Sequence, residues 1–523
     1  MARLMLTARY NGLDDWPGRL LEAEGATIFN ARTATSFVFT YPAGHDFAGF
    51  RVAVTGTGFA YSDGMPTAGN IARVVVSSST GQPVLTFDSF PTNTLASDLS
   101  QFAASVFGAR NALGIGPRPN GEGAWSMLLS GADVINGTNG NDRRSVEGFN
   151  SGNDRFNMLA GDDSVAGGIG NDTIFGGSGF DEISFERTTH SVGDSAFRGI
   201  SVNMATGKLI DCWGGTDTFF SIERIIGSRF NDVFIGNADR NDFAGLRGND
   251  VFNGGGDHRD RVRYGDDYWQ GGRQGIVVDL ETSNIGGVIR GTIRDGFGNR
   301  DTVINIERVN GTRYNDVFVG SSERNAFVGA EGRDVFNGMG SRDAISFDVG
   351  YTGVAQTGIV VNLRLAANQI RNDGFGNIET ALSIEDIWAS EQNDRLIMNG
   401  ADNFVFGRDG ADTMTGGGGN DTFAWEDGDE FASGDRITDF IATGAPNIDR
   451  LAFAVDAFDN MTTTLRLVNG ASATSAAGIG QFVFNSANDT LFWDRNGSAA
   501  GGVAAVVVLT GVNALTSANF DLF

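Results

Sequence analysis

Two nine-residue units stand back to back in this chain, Gly167-Gly168-Ile169-Gly170-Asn171-Asp172-Thr173-Ile174-Phe175 and Gly176-Gly177-Ser178-Gly179-Phe180-Asp181-Glu182-Ile183-Ser184. Both spell G-G-x-G-x-D-x-U-x, with U a large apolar residue. Glycines at positions one, two and four admit the positive φ angles of a tight turn and leave backbone carbonyls free to face an ion. The Asp at position six adds a hard anionic oxygen, the ligand type Ca²⁺ prefers. Positions seven to nine make a short strand whose U side chain points to one side and its neighbours to the other. A single unit buries almost nothing, so copies must stack to build a core.

The unit recurs in four blocks. In the first, Leu128 to Ser184, Asp133, Asp142, Asp154, Asp163, Asp172 and Asp181 fall at position six, with a three-residue slip at Val146 to Gly148. Arg144 takes a U position there, which predicts local distortion. Gly227-Ser-Arg-Phe-Asn-Asp-Val-Phe-Ile235 then returns 84 residues later as Gly311-Thr-Arg-Tyr-Asn-Asp-Val-Phe-Val319, and more weakly as Ala389 to Ile397. These open blocks at 227–263, 311–346 and 389–424. Besides the first block's aspartates and Gly168, Gly170, Gly177 and Gly179, the candidate cation-site positions are Asp232, Gly248, Asp250 and Asp260, then Asp316, Gly332, Asp334 and Asp343. The last block adds Asp394, Gly410, Asp412, Gly417, Gly419 and Asp421. In the second repeat of each later block Asn241, Asn325 or Asn403 replaces the Asp, and Asp239, Glu323 or Ala401 replaces the fourth-position Gly. Neutral amide oxygen is a weaker Ca²⁺ ligand, so those turns read as weak sites or none. An acidic-aliphatic lead precedes each block (Ser221 to Ile225, Asn305 to Val309, Ser383 to Ile387), and an apolar strand such as Gly275-Ile-Val-Val-Asp-Leu280 lies upstream of it. The intervening segments are expected to lengthen coils of the solenoid rather than fold alone, being too short for a stable core.

Residues 1–125 lack the unit. Ser36–Tyr41, Phe50–Thr55 and Ile71–Ser77 are β-branched and aromatic runs between turn signals, the pattern of a small antiparallel β-domain. Leu99, Phe102, Ala103 and Val106 have helical spacing, and the Gly/Pro-rich stretch from Asn111 to Gly123 reads as a linker. From residue 426 to 523, runs such as Gln481-Phe-Val-Phe484 and Val503 to Leu509 predict strands that cap the open end of the repeats.

The net charge of -26, with Lys208 the only lysine, argues against nucleic acid or anionic membrane as partner and favours cations. Cys212 is the single cysteine, so no intramolecular disulfide holds the fold; bound metal can do that work. No stretch reaches the ~18 apolar residues of a membrane span, and the first residues carry too short an apolar run for a signal peptide.

The nonapeptides, the G-I-V-V-[ND]-L and D-G-F-G-N segments (Asp295–Asn299, Asp373–Asn377) and the C-terminal part resemble RTX proteins, the haemolysin-type calcium-binding proteins, over about 128 to 523. The resemblance implies an all-β chain, a parallel β-roll or β-solenoid with Ca²⁺ between turns; taking ions in the gaps between successive turns gives roughly ten bound Ca²⁺. It also implies export through a type I secretion channel, with Asn519-Phe-Asp-Leu-Phe523 similar to the tail such channels read. The family includes enzymes, but His45, His190 and His258 are far apart, with no H-E-x-x-H helix, and no G-x-S-x-G elbow is present. The expectation is therefore a secreted, non-enzymatic protein of the cell surface: a surface-layer subunit, an adhesin or a particle fibre. It would meet surface polysaccharide or copies of itself. The alternative is a hydrolase whose site lies within residues 1–125.

Overall fold

The computed structural model describes residues 152–186, 196–256, 259–348, 357–426, 434–444, 447–455, 458–472, 478–497, 499 and 501–523, with Asn141 and the backbone of seven strands before them. Asp133, Asp142, Arg144 and its expected distortion, the helical spacing at 99–106 and the linker at 111–123 lie outside the described residues. All regular structure among the described residues is strand, apart from short 3-10 turns such as Gly265–Tyr268. The chain divides into two compact units, Met1–Val251 and Phe252–Phe523.

The first unit starts with strands β1 (Arg3–Leu6), β2 (Thr27–Thr33), β3 (Ser36–Thr40), β4 (Arg51–Ser62), β5 (Met65–Ser77) and β6 (Pro83–Asp88). They pair antiparallel in the order β2-β3-β4-β5-β6-β1, the arrangement the alternating runs predict. β1 then runs parallel to β7 (Val134–Asn136), the first strand of the repeats.

From there the chain winds two nonapeptides per coil. Thr173 pairs with Arg155 and Glu182 with Ser164, each 18 residues apart, so alternate units build two parallel sheets. One sheet of this unit stacks Val134–Asn136, Arg155–Asn157, Thr173–Phe175 and Thr216–Phe220. The other stacks Ser164–Val165, Glu182–Ser184, Arg224–Ile226 and Asp242–Ala244. The second unit repeats the plan: one continuous parallel run goes from Arg261–Arg263 through Arg308–Asn310, Ala326–Val328 and Ala344–Ser346 to Asp386–Trp388 and Phe404–Phe406. Three-residue strands suffice because the middle residue carries the inward packing, although Ile226 and Ala244, at the ends of their strands, are buried in a second apolar cluster. Ile174, Phe234, Phe318, Phe327 and Phe423 at the U position are fully buried, and Phe318 stacks on Phe336 one coil later at 4.9 Å. Each such side chain contributes about 1.5–3 kcal/mol of burial, supplied by neighbours rather than by its own unit.

The intervening segments form three-stranded antiparallel meanders inserted between coils. Ser201–Asn203, Lys208–Ile210 and Thr216–Phe220 make the first; Val277–Ile285, Val288–Arg294 and Arg300–Ile304 make the second. The meander's first strand runs parallel to the strand of the next block (Ser201–Asn203 with Val233–Ile235, Val277–Ile285 with Val317–Val319), so each insert lengthens a coil without leaving the roll. At the far end of the second unit, Gln481–Asn485, Thr490–Asp494 and Val503–Leu509 pair antiparallel, and Val503–Leu509 runs parallel to Asp435–Ile437 of the roll. Phe453, Phe482, Trp493 and Phe520 pack over this end. Phe520–Leu522 is itself a strand, parallel to Arg450–Phe453, with Asn519 fully buried beside it.

Candidate metal centres

A position-six aspartate sits where one coil turns above another. Asp172 Oδ1 accepts the N–H of Asp154 at 2.7 Å, and Asp181 Oδ1 that of Asp163 at 3.0 Å. In the second unit, Asp334 Oδ1 takes the N–H of Asp316 at 2.8 Å and Asp343 Oδ1 that of Asn325 at 2.7 Å. Every one of these carboxyls is buried, and the second oxygen, Oδ2, of Asp172, Asp181, Asp334 and Asp343 has no hydrogen-bond partner. An anionic oxygen left unsatisfied in the interior is costly unless a cation meets it.

The glycines explain themselves against these oxygens. A Cβ on the first-position Gly167, Gly329 or Gly416 would meet Oδ2 of the Asp in its own unit, Asp172, Asp334 or Asp421. At position four, Gly170 (φ 156) and Gly179 (φ 134) lie against the carbonyls of Gly152 and Gly161 in the coil before. The turn thus brings bare carbonyls and one carboxylate oxygen into a space that any side chain would fill. Gly168, Gly177, Gly332, Gly410, Gly417 and Gly419 also have positive φ, and a Cβ on Gly248 would strike the carbonyl of Phe230. Among the described residues no three His, Cys, Asp or Glu side chains converge on one point, so the donor set is carbonyl-rich. Hard oxygens, one or two of them anionic, fit Ca²⁺ and suit soft or imidazole-seeking metals poorly.

Electrostatics points the same way. Burial, with the charges of Asp154 and Asp211 adding, pushes the Asp172 carboxyl up to about 7. Burial likewise raises Asp181 to about 6 and Asp343 to about 7. For Asp334 burial and the neighbouring Asp316 and Glu379 charges raise it further. Bound to no cation, these groups resist ionising.

The other predicted positions divide by geometry. Asp250, Asp412 and Asp421 are buried and accept the N–H of Asp232, Asp394 and Asn403, as the consensus turns do. Asp154, Asp163 and Asp260 are buried in the same rows. Asp232, Asp316 and Asp394 differ. Oδ1 of Asp232 accepts Ile200 N–H and the Ser228 hydroxyl, and its Oδ2 accepts Ser228 N–H, all within 2.7–2.8 Å. Thr312 does the same for Asp316 and Ser390 for Asp394. In these opening turns a hydroxyl residue stands at position two and protein donors fill both carboxylate oxygens. The Asn turns carry bonds of their own within the turn: Asn325 Oδ1 accepts Ser321 N–H at 2.6 Å and Asn403 Nδ2 donates to Asn399 Oδ1 at 3.1 Å, while Asn403 Nδ2 also donates to Glu385 O of the coil before at 2.7 Å.

Sequence reading missed part of the row. Glu223 and Glu385 in the leads accept the N–H of Asp181 (2.8 Å) and Asp343 (3.0 Å), and Asp217 that of Asp172 (2.7 Å). Each lead is a shortened unit, with Ser221, Asn305 or Ser383 at positive φ in the place of the fourth-position Gly. The signal was present: an acidic residue two before a buried aliphatic, as in Glu223-Arg-Ile225. Position five, written as x, is also constrained. Asn153, Asn231, Asn315 and Asn393 accept the N–H of the residue 18 later.

The family model of the RTX calcium-binding nonapeptide repeat matches residues 129–143, 150–183, 218–252, 226–260, 310–345 and 387–423. The matched stretch 218–252 includes the lead's strand Arg224–Ile226, and 387–423 begins inside the last lead's strand Asp386–Trp388. No curated protein matches the chain.

Proposed function

From the premise that this is a protein of RTX calcium-binding nonapeptide repeats, we propose that it is a secreted, non-enzymatic structural or adhesive protein of the cell surface that folds when it meets external Ca²⁺. The observation that carries this reading is the row of buried position-six carboxylates in which Asp172, Asp181, Asp334 and Asp343 each spend one oxygen on an amide of the coil before and leave the other without a partner, placed for a cation. Such a row makes the ion part of the fold rather than of a reaction. Asp172, Asp181, Asp334 and Asp343 would hold the ion with the turn carbonyls; the ion would neutralise them and tie coil to coil. Among the described residues no helix is long and apolar enough to cross a membrane, so attachment would run through surface polysaccharide or copies of the same chain. Export would use a type I channel, with the chain unfolded in the calcium-poor cytosol.

Fractionating cells with and without chelator tests this. A surface-fraction protein released by chelator supports the reading; a protein that stays cytosolic or turns over substrate through residues 1–125 overturns it.

A further inference from the structure

Trp269 is 71% exposed, and it does not stand alone. Its ring meets that of Tyr268 edge-to-face at 5.0 Å, and Tyr268 meets Tyr314 at 6.3 Å. The Arg313 guanidinium lies 4.3 Å from the centre of the Tyr268 ring and pairs with Glu331 at 3.1 Å. Three aromatic rings and an ion pair thus share one surface of the second unit. The matched stretches 226–260 and 310–345 leave Tyr268 and Trp269 between them, outside the nonapeptides.

The backbone beneath the rings is fixed. Buried Asp267 accepts the N–H of Gly296 at 2.9 Å, and Asp266 pairs with Arg263 at 3.1 Å. Trp269 N–H donates to the Asp266 carbonyl at 3.0 Å, and Gly272 N–H to that of Asp267 at 2.7 Å. Gly271, at φ 99, turns the chain back with nothing within 4 Å of where its Cβ would stand. A turn held this firmly gives up little freedom when something binds its rings. Core packing does not account for an indole that faces water on such a turn.

Size and charge choose the occupant. Three rings fall well short of the roughly 800 Å² per partner of a stable protein interface. The exposed neighbours Gln270 and Arg273 are polar, so the rings do not extend into an apolar interface core. A net charge of -26 disfavours polyanions, and the Arg313 charge is already met by Glu331. A pyranose ring has C–H bonds on its face and hydroxyls round its edge. The C–H face suits the negative π-faces of Trp and Tyr. The hydroxyls suit tyrosine O–H, guanidinium N–H and carboxylate groups at the rim.

We propose that Trp269, Tyr268 and Tyr314 form a stacking platform for a neutral polysaccharide, with Arg313 and Glu331 bonding to its hydroxyls. The platform rests on the surface-polysaccharide attachment proposed above and gives it a place on the chain.

Native gels cast with dextran, laminarin or mannan, and with alginate as the anionic comparison, test this on the full-length chain in Ca²⁺. At least one neutral gel should retard the wild type. Trp269→Ala should lose about tenfold or more in affinity, with circular dichroism and calcium titration unchanged because the ring lies outside the core. Trp269→Leu, which keeps apolar bulk without a π-face, should fail in the same way and decides the matter if Trp269→Ala does not fold. Phe197→Ala removes another open ring, 67% exposed, and should be retarded like the wild type. Retardation that survives loss of Trp269, retardation by alginate alone, or none in any gel overturns the platform. Self-association in sedimentation that disappears with Trp269, without polysaccharide binding, also overturns it and makes a second copy the occupant. The gels are independent of cell fractionation. A chain released by chelator but blind to neutral polysaccharide loses only the platform, whereas one that stays cytosolic loses the surface reading whatever the gels show.

Discussion

Asp172 holds the amide of Asp154 with one oxygen and keeps the other buried without a partner, whereas both oxygens of Asp316 are occupied by Thr312 and Ile276. The two should answer differently to mutation. Asp172→Ala and Asp181→Ala should shift the calcium titration midpoint upward measurably, while Asp316→Ala and Asn241→Ala should cost stability with little change in that midpoint. Equal shifts in all four would refute the division of turns. The raised carboxyls also fix a pH dependence. A carboxyl whose folded pKa is above its unfolded 3.8 stabilises the fold when protonated and loses that contribution as pH rises towards the folded value. With Asp172, Asp343 and Asp421 raised by burial to about 7, the metal-free chain should be most stable near pH 4 and lose stability progressively up to pH 7. For Asp172 the loss by pH 7 is on the order of 4 kcal/mol. Calcium affinity should run the opposite way, because protons compete for the same oxygens. Chemical denaturation in chelator at pH 4.5 and 7 checks the first claim, and calcium titration at the same pH values the second.

At the scale of the element, the strand is three residues long and its stability belongs to its neighbours. Phe318→Ala removes a ring stacked on Phe336 and tilted against Phe327, and should destabilise the roll by about 3–5 kcal/mol in thermal or urea unfolding. Thr312→Val removes the hydroxyl that donates to Asp316, and should cost about 1–3 kcal/mol through the carboxylate oxygen it exposes. The nonapeptide strands were legible in the sequence because period and residue type agree: glycine where a side chain would strike Oδ2 or a carbonyl, and an apolar residue where the core lies. The leads were read only as preludes, because Ser221 takes positive φ without being glycine and Glu223 reaches the position-six place with a longer arm. The saturated state of Asp232 was also hidden. Its sequence neighbourhood differs from a consensus turn mainly by Ser228, and only the geometry shows that hydroxyl aimed at the carboxylate.

For the whole molecule, a net charge of -26 and buried carboxylates make the metal-free chain repel itself, and roughly ten Ca²⁺ would cancel most of that charge. At pH 7 and above, where the carboxylates ionise, chelated protein should therefore lack the circular dichroism of the calcium form; identical spectra there would count against calcium-dependent folding. Deleting the last ~60 residues, which include the capping strands from Leu467–Asn469 to Phe520–Leu522, should block export. Deleting residues 1–120 should leave export intact, as secretion assays of the two truncations would show. A tandem array has a further hazard: one coil can pair with the wrong copy, 18 residues out of step, and bury nearly as much. Ser228, Thr312 and Ser390 bear on it. Their turns close with protein donors alone, once in each later block, so they need no ion to form. Each would then mark where counting starts for the turns that follow it.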